Sequence, residues 1–325
     1  MQSHALWSVA SATILAYRPS MASAASDRRL DQRFTSIDCI RHYIMFGGMT
    51  SPPRSILAVL AVAIVMLAPT PAVSQSRPRT ILALLAHADD ETAVGPALAR
   101  YAREGVQVQI IIATDGSGGS GTQACLQRPD SGPVGDALVK ARADEARCAA
   151  TMLRAREPIL LGFPDGKLGD YLGDRSLLTR LTDRIAREIE RLQPDAVVTW
   201  GPDGGTGHPD HRIVSNIATQ LLRFGAPGMP ERLFYMYLPV EMIRQANPQR
   251  GEPPLLFPQA KYFTVKVPVT PADLDAAVKA MACHKTQFSA ETMQRFLPAR
   301  DRIWNGAVAL VPASPALSGD DLFRK

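Results

Sequence analysis

The chain has 325 residues, 46% of them hydrophobic and 21% charged, with a formal net charge of +5. That is ordinary globular composition, with enough apolar material for a large core, and it excludes a disordered or fibrous protein. Six Arg and three Asp in residues 1–74 carry +3 of the charge, leaving +2 for residues 75–325. No dense Lys/Arg patch with interleaved aromatics occurs there, so nothing supports a nucleic-acid partner.

Residues 49–74 read MTSPPRSILAVLAVAIVMLAPTPAVS: a methionine, one arginine, an apolar run from Ile56 to Ala68, and a small-x-small ending. This is signal-peptide anatomy. The run falls short of the ~20 residues a bilayer span needs, so no stable span is expected after cleavage; a signal-anchored form is the alternative. Export, to periplasm or outside, is the expectation. It makes residues 1–48 a leader or an upstream misreading, with Met49 the true start. Of the four cysteines, Cys39 lies in that leader. Cys125, Cys148 and Cys283 allow one disulfide at most, and Cys148, in the Ala-rich ARADEARCAATML, reads as a small buried residue.

From residue 80 apolar β-like runs alternate with amphipathic stretches. TILALLA (80–86) is a strand, TAVGPALARYAREG (92–105) a helix, and VQVQIIIAT (106–114) a strand. A Gly-rich loop from 115 to about 136 precedes a helix at 137–154. Then come a strand at 158–162, a helix at 176–192, a strand at 195–200 and a helix at 211–225. Later strands are expected at 232–238 and 261–267, a proline-rich surface excursion at 239–260, and a last helix at 271–288. Residues 301–325 read as an extended or poorly ordered C-terminal extension of a single domain spanning 75–300. Such alternation predicts βαβ units: an α/β, Rossmann-like, mostly parallel sheet with helices on both faces.

Ligands of such sheets bind beyond the strands' carboxyl ends, where the strand order reverses. In a 3-2-1-4 order the first and fourth strands adjoin there. AHADDE (86–91) leaves the first and GPDGGTGHPDHR (201–212) the fourth. Of the four histidines after residue 74, three (His87, His208 and His211) lie in these loops, beside Asp89, Asp90, Glu91 and Asp210. Imidazole with carboxylate is a zinc donor set, and catalytic zinc takes three protein ligands with one open position. His87 and Asp90, three apart, can point the same way; His208 and His211 share that spacing, so at least one can complete the set.

The pair AHADDE and GHPDH resembles the PIG-L/LmbE-like zinc-dependent N-acetylglucosamine deacetylases, whose motif reads A-H-P-D-D-E. Weaker marks are TDGSGG, Arg142-x-x-Glu145, GFPDG (162–166) and His284-x-x-Gln287. The resemblance implies that His87, Asp90 and His211 hold Zn2+ and that Asp89 is the general base. It also implies that His208 faces the substrate oxyanion, oriented by Asp210, and that Arg142 and Asp165 contact an amino-sugar or glycan substrate. Ala88 replaces the motif's proline, and Thr206 stands where some members carry an aromatic residue.

The implied chemistry is amide hydrolysis by a metal-activated water, with Asp89 or His208 returning the proton to nitrogen. Glu91 reads as a supporting acid or an early-turn helix acid, and His284 as a packed or helix-end histidine. A zinc amidase or esterase with a non-sugar substrate would use the same ligands. A nucleotide-binding oxidoreductase would need the G-x-G-x-x-G at Gly116–Gly121, which follows the second strand and opens no helix. A non-catalytic sugar-binding domain would lack Asp89.

Overall fold

Residues 77–119, 133–242 and 258–324 are described by the computed structural model. The expected leader and signal peptide, Cys125 and residues 243–257 of the proline-rich excursion lie outside them. The element order is β1 (Thr80–Leu85), α1 (Gly95–Arg103), β2 (Gln107–Thr114), α2 (Gly135–Met152), β3 (Ile159–Phe163), α3 (Arg175–Leu192) and β4 (Ala196–Trp200). There follow α4 (Pro209–Arg223), β5 (Leu233–Met236), β6 (Val265–Pro268), α5 (Pro271–Met281), α6 (Ala290–Trp304) and β7 (Ala307–Pro312).

All six residues of β1 are buried. Successive side chains point to opposite faces, so an uninterrupted apolar strand must be covered on both. Ile81, Ala83 and Leu85 join Leu98, Ala149, Leu274 and Phe296 on one face. Leu82 and Leu84 meet Leu181, Ile185, Val214 and Ile217 of α3 and α4 on the other.

The strands lie in the order β3-β2-β1-β4-β5-β7-β6. The first five are parallel, and β7 runs antiparallel to both β5 and β6. Ile81 pairs with Ala196 and Ala83 with Val198, so β1 and β4 end side by side and release both polar loops into one crevice. This is the expected α/β sheet.

The far end of the chain differs from expectation. Residues 261–267 give only a short strand from Val265, preceded by a 3-10 turn at Ala260–Tyr262. The tail expected to be loose from residue 301 instead holds the last turn of α6 and then β7, and β7 lies inside the sheet. Pro298 interrupts the helical pattern of α6, which masks it in sequence because proline removes a backbone donor. β7 is six residues long, with Val308 and Leu310 its buried positions, too short a signal without its partners. Cys148 is exposed and bonded to Cys283, with Cα atoms 5.8 Å apart, so it is not the small buried residue expected. Among the described residues no helix is long and apolar enough to cross a membrane.

Candidate active site

Beyond Leu85 the backbone N–H groups of Ala86 and His87 both donate to Asp90 Oδ2, each at 2.9 Å. This folds the AHADD turn back onto the strand end and leaves Oδ1 facing the crevice. His211 Nε2 lies 3.1 Å from that oxygen and His87 Nδ1 lies 3.7 Å from it. The two ring nitrogens are 3.0 Å apart. Tetrahedral ligands with bonds of about 2.1 Å stand ~3.4 Å from one another, so the triangle has the size of one face around a metal ion.

The outward side of each ring shows which nitrogen is free. His87 Nε2 lies 3.0 Å from Asp165 Oδ1 and 3.3 Å from Asp210 Oδ2. Donation to those carboxylates leaves Nδ1 able to ligate. His211 Nδ1 donates to the Gly204 carbonyl at 3.0 Å, with Thr206 Oγ1 3.1 Å away. The His211 ring also stacks on Trp200, the last residue of β4, with centroids 4.4 Å apart and planes 9° from parallel. Gly205, at φ +63°, makes room for this: a Cβ there would stand 2.6 Å from Trp200 Cε3.

Burial disfavours charge here, yet the opposed groups prevail. Desolvation works against the His87 imidazolium, but hydrogen bonds to Asp165, Asp210 and Asp90 raise it well above its ordinary value. Desolvation likewise pushes Asp90 up, and His211 and His87 hold it well below the usual carboxylate range. Such a charge-matched, buried donor set is what a cation can replace protons in.

Two other groupings are close enough to consider. His87, His208 and His211 offer nitrogens within 4.8 Å of one another, as do ligand atoms of His87, Asp165 and Asp210. His208 Nδ1 accepts from the Asp210 backbone N–H at 3.2 Å. In the neutral ring Nε2 therefore carries the proton and cannot ligate. Asp210 already accepts from Gly166 N at 2.8 Å and Leu168 N at 3.0 Å. The geometry favours His87, Asp90 and His211.

Asp89 and His208 are the more accessible groups beside this triangle. The Asp89 side chain is 20% exposed and 3.4 Å from Arg142 Nη2. Burial raises the Asp89 pKa, Arg142 opposes the rise, and Asp90 adds to it. The His208 ring lies 4.6 Å from that of His87; burial and the adjacent His87 and His211 lower it to about 4. It is therefore a neutral N–H donor at pH 7.

Three expected roles look different in place. The Asp210 carboxylate serves His87 and the turn after β3, and its bond to His208 runs through the backbone. Asp165 is the partner of His87, and Arg142, itself buried, is committed to Asp165, Asp89 and the Ala88 carbonyl. Neither is simply a substrate contact. The Gly-rich loop after β2 packs as far as it is described: a Cβ on Gly116, at φ +78°, would stand 2.8 Å from Arg142 Cδ.

Sequence reading missed Trp200, whose only signal was a large aromatic at a strand end. It also left Glu91 and His284 unconnected, although they pair at 2.5 Å in the interior.

A family profile described as GlcNAc-PI de-N-acetylase (PIG-L) matches residues 82–222. A 1D-myo-inositol 2-acetamido-2-deoxy-alpha-D-glucopyranoside deacetylase of Saccharomonospora viridis is 30% identical over 222 residues, covering 63% of this chain and 80% of that protein. A Rhodococcus jostii protein of the same description is 30% identical over 237 residues, covering 62% and 79%. Among solved structures, the conserved protein TT1542 from Thermus thermophilus superposes with a TM-score of 0.51 at 21% identity, covering 74% of this chain and 96% of that one. The A40926 pseudoaglycone deacetylase gives 0.52 at 20% identity, covering 73% and 96%. With its two motif loops on adjoining strand ends and relatives matched over four-fifths of their length, the chain belongs to the PIG-L family of de-N-acetylases.

Proposed function

We propose that this protein removes the acetyl group from an N-acetylglucosamine-type amino sugar or conjugate, with zinc held by His87, Asp90 and His211. One observation carries the reading: three ligand atoms 3.0–3.7 Å apart, each anchored on its far side, with Asp89 and His208 at the accessible edge. The names of the relatives support an acetylated amino sugar as substrate.

Zinc bound there would supply Lewis acidity to the acyl oxygen and lower a water's pKa towards ~7. Asp89 takes a proton from the attacking water. Burial raises its pKa, which makes it a better base than an exposed aspartate, and the neighbouring Arg142 guanidinium favours its carboxylate form. As the carbonyl carbon becomes tetrahedral its oxygen gains negative charge, and His208 Nε2–H donates a hydrogen bond to it. The C–N bond then breaks, nitrogen receives from Asp89 the proton taken from the water, and acetate and a free amine leave.

Export through residues 49–74 belongs to the same reading. The pattern of that segment supports it, as does the Cys148–Cys283 disulfide, since disulfides persist in oxidising compartments. The test is an amine-release assay across a panel of acetylated amino sugars, run beside metal analysis of the purified protein. Zinc near one per chain and release from an N-acetylglucosamine conjugate are expected. Metal-free protein, or release confined to non-sugar amides or esters, would overturn the proposal.

A further inference from the structure

Behind the metal-facing turn lies a second polar arrangement that takes no part in the chemistry above. Glu91 is 2% exposed and His284 fully buried, and His284 Nε2 meets Glu91 Oε1 at 2.5 Å across 193 residues of sequence. His284 Nδ1 has no hydrogen-bond partner among the described residues, so the ring's hydrogen bonding is spent on Glu91. A buried carboxylate is unfavourable unless answered by a partner. Glu91 directly follows Asp90 in the 3-10 turn Asp90–Ala93. Holding Glu91 therefore sets the rotation of that turn, and with it the direction of Asp90 Oδ1.

His284 is itself held in place. Cys283 is bonded to Cys148 of α2. The backbone N–H and Oγ1 of Thr286 donate to Glu145 of α2 at 2.8 and 2.6 Å. Arg142, one turn earlier on the same helix, reaches Asp89 and the Ala88 carbonyl. One helix thus braces the ligand turn from two sides: directly through Arg142, and indirectly through the segment carrying His284.

We infer that His284 is a positioning residue: through Glu91 it holds the Asp89–Asp90 turn in register with His87 and His211, touching neither metal nor substrate. The inference rests on the metal reading proposed above. It differs from a merely structural role because it acts on the direction of a ligand, and partners of that kind are worth ~10–100-fold in metal affinity.

The test compares full-length wild type with His284→Ala, His284→Gln and Glu91→Met. Zinc affinity of chelator-stripped protein, the visible spectrum after cobalt substitution, kcat, KM and Tm are measured. His284→Ala should weaken zinc binding ~10–100-fold, change the cobalt bands, and lower kcat while KM stays within ~2-fold. His284→Gln, whose amide N–H can still donate to Glu91, should recover affinity to within ~3-fold of wild type.

A folded His284→Ala with wild-type affinity and spectrum would overturn the inference, as would a loss in Tm alone or a loss that Gln does not recover. Should His284→Ala not fold, Glu91→Met decides: it keeps the side chain's length and removes the acceptor that His284 holds, and unchanged zinc affinity there overturns the inference. Wild type that binds no zinc would sink the metal reading itself, and this inference with it. Unchanged affinity in the variants beside a zinc-binding wild type sinks this inference alone.

Discussion

Asp89 and Asp90 are chemically identical neighbours whose environments separate them. Asp90 is 6% exposed, accepts two backbone N–H bonds and faces two imidazoles; Asp89 faces Arg142 at the crevice edge. Replacing Asp89 by Asn removes the proton acceptor and leaves every proposed ligand in place. We expect kcat to fall ~10²–10⁴-fold, the usual range for a general base, with bound zinc still near one per chain. Full activity, or loss of the metal, would contradict the assignment. If His208 donates to the oxyanion as proposed, His208→Ala should lower kcat ~10²–10³-fold, again with zinc retained. The motifs made these residues candidates because strand order alone brings the two loops together. The partners of His87 were less legible: Asp165 and Asp210 lie 78 and 123 residues away in sequence, and no local pattern announces which carboxylate turns towards which ring. Ala88 became intelligible only in place, where it is 5% exposed and its carbonyl accepts from Arg142.

Among the elements, those with strong local signals were readable and those completed by distant partners were not. β1 to β5 and α1 to α5 follow from apolar runs, helical periodicity and glycine stops, because each carries its own pattern. β7 has meaning only between β5 and β6, where Leu310 is fully buried. Leu310→Ala should therefore cost about 2–5 kcal/mol, as for other buried leucines, measured by urea denaturation. A loss below ~0.5 kcal/mol, the range of surface changes, would return the segment to the status of a loose tail. The start of α5 offers a pH test. Thr270 and Asp273 form a capping box, and Arg103 of α1 pairs with Asp273 at 2.9 Å. Burial would raise the Asp273 pKa, but Arg103 and Thr270 outweigh it and hold it below the ordinary value. The unfolded chain, titrating at about 3.9, therefore takes up the proton first as pH falls. The stability Asp273 contributes is complete above that value and is lost as pH drops through the lower folded pKa. Asp273→Asn should lower stability by about 0.5–2 kcal/mol at pH 7 and reduce the acid-side slope between about pH 5 and 2. An unchanged slope would show that the pair contributes nothing.

Over the whole molecule, one covalent link ties together two parts of the helical cover that lie far apart in sequence. Cys148 and Cys283 are 135 residues apart and join α2 to the turn after α5, on the face that carries the larger of the two cores. A cross-link closing so long a loop removes much of the unfolded chain's freedom, and native disulfides typically contribute about 2–4 kcal/mol. For a folded region of this size each kcal/mol moves Tm by about 2–4 °C. The Cys148→Ser/Cys283→Ser double variant should therefore melt roughly 5–15 °C below wild type. Reductant should bring wild type down to the same value and leave the variant unmoved. The control matters, because serine at the buried Cys283 position costs something by itself. Only the part of the loss that reductant reproduces in wild type belongs to the cross-link. A wild type whose Tm ignores reductant under unfolding conditions would mean that the bond does not form in the protein as made. The brace behind Glu91 would then rest on Glu145 and Thr286 alone.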